Sequence, residues 1–325
     1  MTDVLMPRIW GRPLAGLTRL LHERTGAAIG LVAIVTFAAI SIAPEAVYLS
    51  DVPQSAQDAG GTVGRGNKTG SRGTSASPEW AFGGYGGIAH THPSVVTIKD
   101  SNNTDLTVKD FGWIGRPFKA PIYYGLRAQR WLGSSPFGTM VDFTHAKAIA
   151  KINDVASFSG TLNGKPMKPK ARIGDVFRHL EFSHGHNILT YNGLLRLAPA
   201  WARFRPYMGA GAGLSLPHTE VGLHSVGKRT YEYQFAGLAA QALAGVEIRI
   251  GRTSVFFEYK FTYAPYDVPL SHEPYGWLFV TDVWRQFSSW WKGTKPPGGR
   301  LRTTLITHHG VAGILVKNRS LAAVQ

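Results

Sequence analysis

From Glu79 onward, apolar and polar residues alternate along the chain with a period of two, in eight segments of about ten residues. The segments are Trp80–His92, Ile122–Trp131, Thr139–Ala148, Asn187–Leu197, Phe204–Ser215, Tyr233–Ile250, Ser254–Tyr263 and Thr303–Val316. Successive side chains of a strand point to opposite faces, so this alternation predicts strands with one apolar face and one small or polar face. In the seventh, Val255, Phe257, Tyr259, Phe261 and Tyr263 share one face, while Glu258, Lys260 and Thr262 share the other. The fifth places Gly209, Gly211 and Gly213 at alternate positions. That spacing makes room for bulky neighbours inside a narrow closed sheet.

The connections run long, short, long, short, long, short, long: Pro93–Pro121, Leu132–Gly138, Ile149–His186, Ala198–Arg203, Leu216–Glu232, Gly251–Thr253 and Ala264–Arg302. Short turns on one side, long loops on the other and an even strand count form the layout of a bacterial outer-membrane barrel. The expected fold is therefore all-β: an eight-stranded antiparallel outer-membrane β-barrel over residues 79–316, with short periplasmic turns and long extracellular loops. A soluble lipocalin-like barrel would turn its apolar face inward, and eight strands are too few for the aqueous channel of a porin.

Ahead of the strands, Arg8, Arg12, Arg19 and Arg24 precede a small-apolar run from Gly26 to Ile42. A basic stretch followed by an apolar one is the pattern of a secretory signal, which we assign to residues 1–46. Residues 47–78 are rich in Gly, Ser, Thr and Asn and read as a flexible linker. Residues 317–325 form a C-terminal tail without the closing aromatic residue on which many such barrels end. The expected location is the bacterial outer membrane, and the expected state is a monomer.

Composition narrows the chemistry. The chain has no cysteine, which excludes a disulfide framework, a thiolate metal site and a cysteine nucleophile. At 44% hydrophobic residues it is too apolar to be mostly disordered. A mean hydropathy of −0.08 is too polar for a bundle of membrane helices. The formal net charge of +15 points to an acidic partner. Basic residues are scattered, with no helix-turn-helix or stacking platform, so nucleic acid is set aside and a phosphorylated lipid of the outer leaflet is left.

The inward faces carry Arg127, Asp142, Arg196, Arg205, Glu247, Arg249, Glu258 and Lys260. Charges buried in a narrow barrel must pair, and that is the expected role of those near the short turns. Asp142, Glu258 and Lys260 lie nearer the long loops, where pairing and acid–base catalysis are equally open readings. Histidines gather at the same end: His90, His92, His145, His184, His186, His218, His272, His308 and His309. His145, His184 and His186 are candidate ligands of a divalent metal ion, and His145 also joins Asp142, Glu258 and Lys260 as a candidate acid–base group. Solvated rim histidines are the alternative, and no HExxH-type signature is present. In the last loop, Tyr275–Lys292 holds four of the nine tryptophans. It reads as an interfacial segment on the outer leaflet or a lid over the mouth, with Arg285, Lys292, Arg300 and Arg302 available to lipid phosphates.

Several phrases are more particular. Trp80-Ala-Phe-Gly-Gly-Tyr-Gly-Gly-Ile-Ala-His-Thr-His-Pro93, Val108-Lys-Asp-Phe-Gly-Trp113, Pro121-Ile-Tyr-Tyr-Gly125, Val141-Asp-Phe-Thr-His-Ala-Lys-Ala148, Arg205-Pro-Tyr-Met-Gly-Ala-Gly-Ala-Gly213 and Phe257-Glu-Tyr-Lys-Phe261 resemble the rhizobial lipid A oxidase family of outer-membrane barrels. The resemblance runs from about Trp80 to Val316. It implies oxygen-dependent oxidation of the proximal glucosamine of lipid A, at its anomeric carbon, to a 2-aminogluconate unit. Molecular oxygen would be co-substrate, and lipid A or lipopolysaccharide the partner. No flavin or nicotinamide fingerprint is visible, so a rim metal held by some of Asp142, His145, His184, His186 and Glu258 is the expected route to oxygen chemistry. The competing expectation is a non-catalytic surface barrel for adhesion or envelope integrity. The two differ in whether the polar side chains converge on a pocket or pair off along the lumen.

Overall fold

The computed structural model describes residues 78–225, 229–270, 279–294 and 298–318. The signal region, the linker up to Ser77, His272, Lys295 and the tail beyond Asn318 lie outside the described residues. Eight antiparallel strands close into a ring: β1 (Glu79–Thr91), β2 (Tyr124–Trp131), β3 (Phe137–Ala150), β4 (Phe177–Arg196), β5 (Phe204–Ser215), β6 (Gly237–Ile250), β7 (Thr253–Leu270) and β8 (Gly299–Lys317). Each pairs with its sequence neighbour in this series, and β8 returns to β1, with Ala81 opposite Lys317 and Thr91 opposite Thr307. The lack of a terminal aromatic residue does not disturb the register: Asn318 still donates its backbone N–H to the Trp80 carbonyl at 3.0 Å.

Alternation decides the two faces as expected. Arg127, Asp142, Asn192, Gln241, Glu247, Glu258 and Lys260 point inward and are buried. Phe82, Ile88, Phe137, Phe204, Leu238, Phe257 and Ile314 point outward and are exposed. A polar interior inside an apolar wall is the inverse of a soluble barrel. None of the described helices is long and apolar enough to cross a membrane. The tight turns 132–136, 197–203 and 251–252 lie at one end of the ring, with both ends of the ring-forming chain.

The other end departs from expectation. The long connections are largely strands, not loops. The first contributes Ser94–Asp100 and Thr104–Phe111, the second Val155–Leu162, and the third the hairpin His218–Leu223 with Thr230–Tyr233. These join the ring in a single sheet of 16 strands. The ring strands lengthen to meet them: β4 begins at Phe177 rather than Asn187, β7 runs on to Leu270, and β8 starts at Gly299. β8 pairs with β1 along its lower half, then with Ser94–Asp100 along its upper half.

The cause is visible in the residues. Val96 and Ile98 pair face to face with Val108 and Leu106, and Val108 pairs in turn with Phe158. All five are buried in one apolar core with Phe111, Trp113, Phe177, Phe182 and Leu301. Burying a side chain of that size is worth about 1.5–3 kcal/mol, so this extension carries its own stabilisation. A membrane-spanning strand needs only about 9–11 residues. β4, at 20 residues, and β8, at 19, overshoot that by a wide margin. The mouth of the ring is closed by packed apolar side chains.

Candidate functional site

The inward residues expected to do chemistry meet at one level of the lumen. Arg127 donates through both terminal nitrogens to Glu258, at 2.7 and 3.0 Å, and lies 3.3 Å from Asp142. Lys260 Nζ donates to Asp142 Oδ2 at 2.5 Å, Tyr85 Oη at 2.7 Å and Thr144 Oγ1 at 2.9 Å. Tyr207 donates to Glu258 at 2.7 Å, and Gln241 bridges Asp142 and Asn192 at 3.2 Å each. The four charges are two cations and two anions, and their side chains are fully buried. The Arg127 guanidinium lies over the rings of Tyr85 and Phe256, at 4.8 and 4.3 Å. Asp142, Glu258 and Lys260 thus face one another rather than an opening. Their carboxylate and ammonium groups are already engaged, which favours pairing over acid–base catalysis of the two readings left open.

Tyr85 and Tyr207 complete this network, and reasoning from charge alone missed them. The available signal was a single large residue among glycines, Gly83-Gly-Tyr-Gly-Gly87. The opposite strand explains the spacing: a Cβ on Gly125 would fall 1.9 Å from Tyr85 Cζ, so the ring lies against bare backbone. A second paired cluster fills the short-turn end. Arg205 bonds Glu247 and, at 3.1 Å, Glu79, while Lys317 reaches Glu79 at 3.0 Å and Glu247 at 3.2 Å.

The histidines divide by face. His145 pairs with Asn187 across β3 and β4 and stacks at 4.7 Å on Tyr124, on the outer side of the sheet. His186, the neighbour of Asn187, points to the inner side, where its Nδ1 bonds the Tyr266 hydroxyl. His184 sits in the bulge between, its ring 4.8 Å from His218. Alternation therefore holds His145 and His186 on opposite sides of one sheet. Among the described residues no three His, Asp or Glu side chains converge to hold a metal ion. The set His145, His184 and His186 does not fit a metal centre.

His145 retains one unused nitrogen. Asn187 donates through its amide nitrogen to the Leu216 carbonyl at 3.1 Å, so its oxygen faces His145 Nδ1 at 2.8 Å and accepts from it. Nδ1 then carries the proton, leaving Nε2 as a lone-pair acceptor, buried and without a partner. His186 Nε2 is likewise buried without a partner.

His218 lies in the extension beyond the ring, its ring 4.5 Å from Tyr231 and 4.8 Å from Tyr233. Burial, reinforced by His184 and Arg229, holds its imidazole down at about 3; Glu220, which accepts from Arg229, and Glu232 are the acids in the same hairpin. The folded hairpin thus prefers the neutral ring, while an unfolded one titrates near 6.5. Its contribution is complete above the unfolded value and is lost as pH falls from about 6.5 toward 3. Amide exchange in 218–223 is expected to rise between pH 7 and pH 4 while 237–250 stays protected, and His218→Phe to abolish the rise. Equal protection of both segments at pH 4 in the wild type contradicts this account.

At the rim, α1 (Ile173–Val176) is a single turn, and α2 (Phe279–Trp291) is the aromatic segment expected at the interface. Val280, Trp284 and Trp291 are exposed, at positions that recur on one helical face. The helix is pinned beside that face: Phe287 and Trp290 pack on Phe235, and the Gln286 side chain accepts the Phe235 N–H at 2.8 Å. Of the expected phosphate contacts, Arg285 and Lys292 are exposed on and just after this helix. Arg300 and Arg302 instead share Asp267, at 2.6 and 3.2 Å, which leaves that trio with one net positive charge.

No family model matches the chain, and no curated protein does. Among solved structures, the chain is similar to the outer membrane protein AlkL, as determined by solid-state NMR in lipid bilayers. The identity is 11% and the TM-score 0.36, over 85% of this chain and 100% of that one.

Proposed function

We propose that this protein is an outer-membrane barrel that acts on lipid A from the outer leaflet, as a lipid A oxidase. The observation that carries the membrane part is the exterior: large apolar side chains such as Phe82, Ile88, Phe204, Phe257 and Ile314 stand exposed around a polar, ion-paired interior. Because the lumen is filled with paired side chains, a substrate is met at the lipid-facing wall or the rim, not in a channel. The resemblance in Val141–Ala148 and its companion phrases supplies the reaction. Oxidising the anomeric carbon removes its hydrogen as a hydride equivalent and the hydroxyl proton, reducing oxygen to hydrogen peroxide; water then opens the lactone to the 2-aminogluconate, a net gain of one oxygen atom. His145 Nε2, an unpaired lone pair held on the outer side of the sheet by Asn187, is the base we assign to that proton; it is buried, so the Tyr124 ring stacked on it must move aside for the substrate to reach it. No step is routed through a metal, since the histidines do not converge on one.

A second reading has its own support. Asp142 is paired with Lys260 and Glu258 with Arg127, as in a purely structural plug. Mass spectrometry of lipid A from cells expressing the chain separates the readings. The oxidase is expected to add one oxygen atom to the proximal sugar, and His145→Ala to remove at least nine-tenths of that product at unchanged barrel yield. Unmodified lipid A with the wild type at full outer-membrane yield leaves the surface barrel as the function.

A further inference from the structure

The wall of the ring carries a groove that the lumen residues do not use. Outward positions fall into rows across β1, β8 and β7: His90, His308 and Phe261; then Ile88, Gly310 and Tyr259; then Gly86, Ala312 and Phe257. Gly310, Ala312 and Gly86 are small, with Tyr259 and Phe257 along one side and Ile88 on the other. The result is a trough of about 720 Å³, flanked by Ile88, Phe257 and Tyr259 and overhung by Phe118. These four side chains are at least half exposed, at 55%, 51%, 50% and 83%.

The trough leads up to a charged rim. The His90 and His92 rings are 5.3 Å apart, those of His92 and His308 4.8 Å, and Tyr259 bonds His308 Nδ1 through its hydroxyl at 2.5 Å. The segment that carries Phe118 also carries Arg116 and Lys119. It passes close over β1, since a Cβ on Gly115 would lie 3.0 Å from the Ala89 carbonyl. Lys147 is tied to it by a 2.5 Å bond to the Lys119 carbonyl and feels the charges of both Arg116 and Lys119, with Glu181 the acid that offsets them. An apolar trough in a membrane wall accepts any lipid tail, and tails gain little from leaving other tails. Selectivity must therefore come from the head group, and this rim offers three cations and three imidazoles against one carboxylate.

We infer that this groove is a binding site for a phosphorylated, acylated lipid of the outer leaflet, one acyl chain in the trough and a phosphate at the rim. The inference rests on the membrane placement proposed above, but not on catalysis. The site lies on the β7–β8–β1 wall, whereas His145 lies on β3. One strand, β2, separates them, and they share the rim, where Lys147 stands two residues from His145 on the same side of β3.

The test uses the full chain in phosphatidylcholine nanodiscs containing either diphosphorylated lipid A or the same lipid A with its phosphates removed. Lipid retained on the protein after detergent release is counted by native mass spectrometry. Wild type is expected to retain the diphosphorylated form at least tenfold over the dephosphorylated one. Gly86→Leu fills the trough from a position where a Cβ meets nothing within 4 Å; it is expected to lower retention of both forms at least fivefold with unchanged gel mobility of the folded band. Lys119→Gln with His308→Gln is expected to erase the preference for phosphate. Wild-type retention by Gly86→Leu, or equal retention of the two lipids by the wild type, overturns the inference. Retention without any oxidised lipid A in cells leaves the groove standing and removes the oxidase. Wild-type retention and wild-type oxidation by the Gly86→Leu protein do the reverse.

Discussion

Lys260→Met is expected to destabilise the folded ring by about 3–5 kcal/mol, the scale for removing one partner of a buried ion pair. All three protons of the ammonium are committed, to Asp142, Tyr85 and Thr144. Methionine fills the space but leaves Asp142 with Arg127 at 3.3 Å and Gln241 at 3.2 Å, and the plug with one excess negative charge. Adding Asp142→Asn restores neutrality around the intact Arg127–Glu258 pair, so the double variant is expected to recover most of the loss. Guanidinium unfolding in detergent micelles, followed by tryptophan fluorescence, reads both. A single variant as stable as wild type, or a double no better than the single, rejects the plug. The double variant also informs the lipid A assay. If it folds and still oxidises lipid A, neither Lys260 nor Asp142 acts in the reaction.

The ring was legible because alternation is a strong signal where one face meets a uniform solvent. Val255 to Tyr263 alternates cleanly, and all of it belongs to β7. Gly251–Thr253 is short enough to permit only a hairpin, and Gly251 adopts φ 64° at that turn. The extension was harder to see because its strands are buried on a shared core and joined by turns within what reads as loop. Phe177–Glu181 pairs with Glu220–Leu223 across more than thirty-five residues of chain, a partnership no local pattern announces. β4 also carries a bulge between Phe182 and His186, which breaks the period just where the strand should have been recognised.

The candidate site was legible as a list and not as an arrangement. Inward charges could be assigned by parity, yet parity does not say which cation faces which anion around a ring. Arg127 on β2 meets Glu258 on β7, two strands that do not neighbour each other in the sheet. The histidines show the opposite case. Close spacing in Ser183-His-Gly-His-Asn187 suggested one site, whereas the bulge and the pleat send the rings to different partners. The cluster of His90, His92 and His308 needed the closure of β8 on β1, since only that register sets His90 opposite His308.

That same closure makes small residues on the inner wall a condition of folding, and Gly213→Val is expected to yield no folded barrel. A Cβ at Gly213 would stand 1.8 Å from the Leu189 carbonyl oxygen and 2.6 Å from Thr190 Cα. Both are backbone atoms of β4, directly opposite in register, so no side-chain rotation relieves the contact. Ordinary overpacking costs about 1–3 kcal/mol because side chains give way. Here β4 and β5 would have to separate, and a closed ring cannot widen at one seam without losing pairs elsewhere. Gly213→Ala, which adds only the Cβ, is expected to lower refolded yield into detergent at least tenfold. Gly193→Ala on the neighbouring strand is the matched control: its Cβ meets only the Ala210 carbonyl, at 3.9 Å, and wild-type yield is expected. Heat-modifiable gel mobility of the refolded proteins reads the outcome. If Gly213→Ala folds as well as Gly193→Ala, the ring is looser at the β4–β5 seam than its register requires, and the sealed lumen on which the wall-facing function depends fails with it.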